Sequence, residues 1–222
     1  MLYFATPTCA GMPHMLNHTL GYIDTPRQAN IRPPGVIWCA DNGCYTDNWD
    51  AEQWWNWLQR NSKDTTRCAF ATAPDVVGDA HATLRQSTEW LPRIRALGYP
   101  PAYVAQDGVT DTPLPWDSFT TLFLGGTNTF KLGLEARAIT TQARARGKWV
   151  HCGRVNSLKR WRYAEAIGCH SADGTFLKHG PDKRLPELLG WLDDLHQRPA
   201  LFDLTNQQEF TPLDPRTWEP YQ

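Results

Sequence analysis

The 222-residue chain predicts an α/β fold, a compact and somewhat irregular TIM-like (β/α) barrel. Three observations lead there. Short apolar runs alternate with helix-length amphipathic stretches, the pattern of parallel strands joined by right-handed crossovers. Seven such runs are present, and five of them stop at a carboxylate, an amide or a glycine pair. The length suits one barrel domain. A doubly wound open sheet is the alternative, but no G-x-G-x-x-G follows the first strand.

Taken in order, residues 2–5 read as the first strand. Thr6 to Pro34 is rich in Gly, Pro, His and Asn, has no clear period and reads as a long loop. Val36 to Ala40 is the second strand, ending at Asp41-Asn42-Gly43. Asp50 caps a helix near 51–60 whose Trp54, Trp57 and Leu58 share one face. Arg67 to Thr72 is the third strand, ending at Pro74-Asp75. Asp79 caps the next helix, about Ala80 to Leu97, which Gly98 closes and Pro92 is expected to kink or divide. Ala102 to Ala105 is the fourth strand, ending at Gln106-Asp107-Gly108, and Thr121 to Leu124 the fifth, ending at Gly125-Gly126. A helix from about Glu135 to Arg146 leads to the sixth strand, Trp149 to Cys152, and Gly153. Asn156 or Ser157 caps a helix over 158–167. The seventh strand lies within Gly168 to Thr175 and stops at Asp173-Gly174. A last helix spans about 185–196. Residues 1–198 form one barrel domain, with 199–222 a polar tail packed on or near it.

Apolar content of 41% and charged content of 20% are those of an ordinary globular protein. No apolar run approaches the roughly 18 residues of a membrane span, and the N-terminus reads as a strand and not as a signal peptide. None of the six cysteines forms a C-x-x-C or C-x-C pair, and Cys39, Cys68, Cys152 and Cys169 lie in strand-like runs and read as reduced core residues, which fits a cytoplasmic protein. The net charge of −1 excludes a globally basic, nucleic-acid-coating surface. Locally, Lys131, Arg137, Arg144, Arg146, Lys148, Arg154, Lys159, Arg160 and Arg162 face one acid, Glu135, across 131–162. Such an excess neutralises phosphates or simply solvates two helix faces. The tryptophans at 54, 55 and 57 sit at helical spacing and read as core. His14, His18, His151 and His170 lack metal-ligand spacing, so no metal and no cofactor is expected.

In a parallel barrel the strand ends meet at one face. Each carboxylate or glycine there is also ordinary turn chemistry, Asp173-Gly174 included. Together they give a pocket of carboxylates, an amide and open backbone. That set suits guanine, whose amidine-like edge donates to carboxylates and whose carbonyl accepts.

These segments resemble, in order, motifs of the tRNA-guanine transglycosylase superfamily, and within it the short DNA 7-deazaguanine transglycosylases of phages and bacterial DNA-modification clusters. Asp41-Asn42-Gly43-Cys44-Tyr45 resembles the family's Asp-Ser-Gly-Gly-Phe/Tyr segment. Ala73-Pro74-Asp75-Val76 stands where the family has a base-recognising Asp. Tyr103 to Gly108 resembles the Val-Gln-Gly segment, Leu124-Gly125-Gly126 the Gly-Gly loop, and Cys152-Gly153 through Asp173 the module that ends in the nucleophilic Asp. The family's zinc-binding subdomain has no counterpart in the cysteine spacing, which favours the compact DNA-acting branch over the tRNA enzymes.

The resemblance implies a glycosyltransferase that replaces guanine in DNA with a preQ0-like 7-deazaguanine through a covalent aspartyl-sugar intermediate. Asp173 would attack C1′, with Asp41 as the second carboxylate. Asp75, Gln106, Gly125, Gly126 and Tyr45 would bind the base. Arg144, Arg146, Lys159 and Arg160 would hold DNA phosphates. The implied partners are guanine-containing DNA, the small 7-deazaguanine base and a protein that opens the duplex, with no membrane. A nucleoside or DNA glycosylase-type hydrolase, a tRNA-guanine transglycosylase and a non-catalytic nucleic-acid-binding barrel are the alternatives. Asp173 is expected to face Asp41 across a cleft at the carboxyl ends of the strands.

Overall fold

The structure, a computed structural model, describes residues 1–28, 31–44 and 49–197. Tyr45 and the tail 199–222 lie outside the described residues. Eight parallel strands close into a barrel in chain order. They are β1 (Leu2–Ala5), β2 (Gly21–Asp24), β3 (Trp38–Ala40), β4 (Cys68–Thr72), β5 (Pro101–Ala105), β6 (Thr121–Leu124), β7 (Trp149–Cys152) and β8 (Ser171–Gly174). β1 pairs with β2 on one side and along its whole length with β8 on the other, which closes the ring. The helices are α1 (Met12–Leu16), α2 (Ala51–Asn61), α3 (Ala80–Ala96), α4 (Asn128–Leu132), α5 (Leu134–Ala145), α6 (Leu158–Ala166) and α7 (Pro181–Gln197).

The sequence expects seven strands and a loop over 6–34. The eighth strand, β2, lies inside that loop, preceded by the single turn of α1. Four residues beginning with a glycine are too short to show a period of two, and Thr19 and Thr25 beside them read as loop. The caps follow the sequence. Asp50 accepts from the Gln53 N–H, Asp79 from Ala82 and Ser157 from Arg160. Helix α3 runs undivided through Pro92.

Side chains alternate between two cores, as strand geometry requires. Tyr3, Tyr22, Trp38, Tyr103, Leu122, Val150 and Ala172 point outward and pack with Trp54, Leu91, Ile139 and Trp161 of the helices. Leu2, Phe4, Ile23, Cys39, Phe70 and Ala102 form a second cluster with Phe123. Phe4 meets Phe70, and Phe70 meets Phe123, at ring distances of 5.8 and 6.0 Å. Those strands are not neighbours, so the rings meet inside the barrel. His151 completes this interior, 4.8 Å from Phe70 and 4.6 Å from Phe123. No helix among the described residues is long and apolar enough to cross a membrane.

Gly21 makes room for this interior. A Cβ there would fall 2.4 Å from the Phe4 ring, its partner across β1 and β2. Gly21→Ala is therefore expected to cost about 1–3 kcal/mol by overpacking, read as a lowered Tm. Combining it with Phe4→Leu should cost less than the sum of the two single changes, because the second makes space for the first. Additive losses would show that the two sites do not share one space.

Candidate active site

The carboxyl ends of the strands surround a cleft of about 490 Å3, its open mouth included. Asp41, Asp75, Gln106, Gly125, Gly126 and Asp173 all line it, joined by Asn42, Lys131 and Arg154. Each follows directly from topology. Asp41 is the first residue past β3, Gln106 the first past β5 and Gly125 the first past β6, while Asp173 lies within β8.

Asp173 is buried and closely held. Its Oδ1 accepts from His151 Nε2 at 3.0 Å and from the Arg154 N–H at 3.3 Å. Its carbonyl accepts from the Val155 N–H. Among the described residues Oδ2 receives no hydrogen bond and remains available to the cleft. The support for His151 lies deeper in the barrel. Trp149 Nε1 donates to Ser171 Oγ at 2.7 Å, and Ser171 Oγ lies 2.8 Å from His151 Nδ1. The Asp173 carboxylate only accepts, so Nε2 carries the proton that donates to it, and Nδ1 is assigned as acceptor of the Ser171 hydroxyl hydrogen. The Arg154 N–H reaches the carboxylate because that residue takes a left-handed backbone, φ 59°, a conformation a non-glycine residue adopts only at a cost of order 1 kcal/mol.

The opposite wall is a second network. Asp75 accepts from Asn42 Nδ2 at 3.2 Å and from Gln106 Nε2 at 2.7 Å. The Gln106 carbonyl accepts from the Gly78 and Gly126 N–H groups, both at 2.9 Å. Gln106 is thus a brace between Asp75 and the Gly-Gly loop, with one amide hydrogen left over. Asn42 is a second brace, since its side chain also bonds the Ala73 carbonyl and the Cys44 N–H. A Cβ on Gly125 would fall 2.6 Å from Val104 and 2.8 Å from Gln106 Nε2. Glycine there is a requirement of close packing.

Burial raises the Asp41 pKa to about 7. The Gly43 N–H bond works against that rise, and the charges of Asp173 and Asp75 add to it. Burial likewise raises Asp75 to about 6, against hydrogen bonds from Asn42, Cys44 and Gln106. Lys131 is pulled down to about 8 by burial and then by Arg154.

Of the residues expected to hold phosphates, Lys159 and Arg160 begin α6, on the cleft side, and Arg160 donates to the Arg154 carbonyl. Arg144 and Arg146 do not join them. They end α5, whose C-terminus adjoins the amino ends of the strands. Arg144 donates there to the Gly168 carbonyl, and Arg146 lies over Trp116. The basic count over 131–162 pooled two opposite faces of the barrel. His151, Lys131, Arg154 and Asn42 are site residues that the sequence did not single out for this chemistry. The alternation of β7 places His151 inward, but nothing in the sequence names the carboxylate it meets.

No family model and no curated protein matches the chain. Among solved structures it is similar to RipC from Yersinia pestis, with a TM-score of 0.52 and 9% identity over 90% of this chain and 95% of that one. At that identity the likeness is one of fold, a barrel of strands wrapped by helices.

Asp41 also leaves a mark on stability. The unfolded chain holds an aspartate near 3.9, so between about pH 4 and 7 the folded protein binds the extra proton. Stability therefore falls as pH rises through that window and levels off above it. Asp41→Asn removes this term while keeping an acceptor for the Gly43 N–H. Its stability should match the wild type at pH 4 and exceed it at pH 8, by on the order of 1 kcal/mol once solvent screening at the cleft is discounted, read as a higher Tm at pH 8 only. Parallel melting profiles from pH 4 to 8 would count against a raised Asp41 pKa.

Proposed function

We propose that the cleft exchanges a guanine base on a deoxyribonucleotide for a 7-deazaguanine, through a covalent ester on Asp173. The observation that carries the reading is the convergence of the carboxylates from β3, β4 and β8 on one cleft with the Gln106 and Gly-Gly segments. All five segments that resemble the transglycosylase motifs contribute to it. Tying Oδ1 of Asp173 to His151 and Arg154 leaves Oδ2 as the attacking oxygen.

Asp75, oriented by two amides, accepts from the base N1–H and exocyclic amine, and the remaining Gln106 amide hydrogen meets the base carbonyl. Oδ2 attacks C1′, the glycosidic bond breaks, and its electron pair leaves with the guanine. Asp41, near half-protonated at neutral pH, gives that nitrogen a proton. The incoming base returns a proton from its glycosidic nitrogen to Asp41 and displaces Asp173 from C1′. Two displacements restore the original sugar configuration, as in retaining glycosidases. A nucleotide in duplex DNA has to leave the stack to reach this cleft, which is where a DNA-opening partner would act.

The test is incubation with guanine-containing DNA and labelled guanine or preQ0, followed by mass spectrometry of the nucleosides. Exchange incorporates label, a hydrolase leaves abasic sites, and a binding barrel leaves the DNA unchanged. Asp173→Asn should abolish both label and covalent adduct, and Asp41→Asn should slow exchange by about 10²-fold or more. Label incorporation by Asp173→Asn would overturn the nucleophile assignment.

His151 gives a separate expectation. His151→Phe fits the aromatic interior but leaves Oδ1 without its main donor. It should lower kcat by about 10²-fold with a smaller effect on KM, and His151→Gln should retain more activity.

A further inference from the structure

The cleft is bipolar. Asp41 and Asp75 follow β3 and β4, while Arg154 follows β7, across the ring from β3. Lys131 reaches the same side from α4, and its Nζ donates to the Gly153 carbonyl at 3.1 Å. Lys131 is only 4% exposed. Among the described residues it has no carboxylate within ion-pair distance. A buried ammonium without a carboxylate in contact is expensive, and here the Arg154 guanidinium lines the same cleft. Burial and then Arg154 lower the Lys131 pKa, and Arg160 adds to them more weakly, against the opposing pull of Cys152 and Asp173. An anion on this wall would offset both costs. Asp173, on β8, stands next to β7 in the ring and so borders the cationic wall.

A nucleotide has the same polarity. Its base carries donors, its C1′ is the reacting carbon, and its phosphate is the anion beyond the sugar. We propose that Lys131 and Arg154 seat a phosphate ester on the sugar whose base is exchanged. The substrate class is then a nucleotide and not a free nucleoside. This rests on the base-exchange reading for the rest of the ligand, but the phosphate seat is a binding property that stands or falls separately. The same phosphate chemistry belongs to a mononucleotide and to a phosphodiester within a DNA strand.

The experiment is calorimetric titration of the full chain with dGMP, deoxyguanosine, inorganic phosphate and a short single-stranded oligodeoxynucleotide with one guanine. The wild type should bind dGMP or the oligonucleotide at least about tenfold tighter than deoxyguanosine, the worth of a charge-assisted hydrogen bond. Lys131→Met should remove that margin and leave deoxyguanosine affinity unchanged. Arg154→Gly is the second variant; it keeps the N–H to Asp173, suits the left-handed backbone and removes the guanidinium together with its hydrogen bond to the Gly126 carbonyl. A margin seen with the oligonucleotide alone assigns the phosphate to a DNA strand, and one seen with dGMP alone assigns it to a mononucleotide. Phosphate binding that Lys131→Met abolishes, with no purine binding, would keep the anion seat and overturn the base reading. Equal affinity for deoxyguanosine, dGMP and the oligonucleotide, unaffected by either variant, would overturn the phosphate seat and leave the base reading standing.

Discussion

The hydrogen bond from His151 to Asp173 is the point on which the site turns. It joins the interior of the barrel to its open end. Below it the barrel is filled by Phe4, Phe70 and Phe123, which close around the imidazole. Above it the carboxylate lines the cleft. A polar ring in an aromatic interior is tolerated only when its nitrogens are satisfied, and here Ser171 takes one and Asp173 the other. The packing that fixes the rings therefore also fixes the carboxylate. Gly21 belongs to the same system, because the Phe4 ring occupies the space a side chain there would need.

The rest of the cleft is built from braces in place of ion pairs. Asp75 is held by two amides, and Gln106 extends the hold to the Gly126 backbone. Arg154 donates to the Gly126 carbonyl from the other side. The Gly-Gly loop is thus pinned between the acidic and the cationic walls. Neutral amides fix Asp75 without neutralising it, so it remains able to accept from a ligand. An arginine in place of Gln106 would bind the carboxylate more strongly and spend it on the protein.

The strand-end residues were legible because their signal is local. Asp41, Asp75, Gln106, Gly125 and Asp173 each stand where an apolar run stops, and a parallel barrel brings such positions to one face. What failed was what depends on distance through space. Strand β2 was too short to show a period. His151 was weighed as a metal ligand because its neighbours in sequence say nothing about Asp173, 22 residues away. Lys131 is one of nine basic residues in a run that reads equally as phosphate-neutralising or solvated, since a five-residue helix gives no face to read. Arg144 and Arg146 were grouped with Arg154 by sequence proximity, although a helix running antiparallel to the strands carries its two ends to opposite faces of the barrel.

The separation of the two ends of α5 explains how the charges are arranged. In a (β/α) unit, each helix starts at the cleft face and ends at the other. Basic residues on the last turn of α5 complement the helix dipole and stabilise the fold. Cations at the start of α6, or in the loop before it, oppose the dipole and have no such benefit. Arg154 and Arg160 stand in those unfavourable positions, beside a buried Lys131. Their hydrogen bonds to the Gly126 and Arg154 carbonyls hold them there. The phosphate proposed for the cleft would turn three mutually repelling cations into an attractive wall.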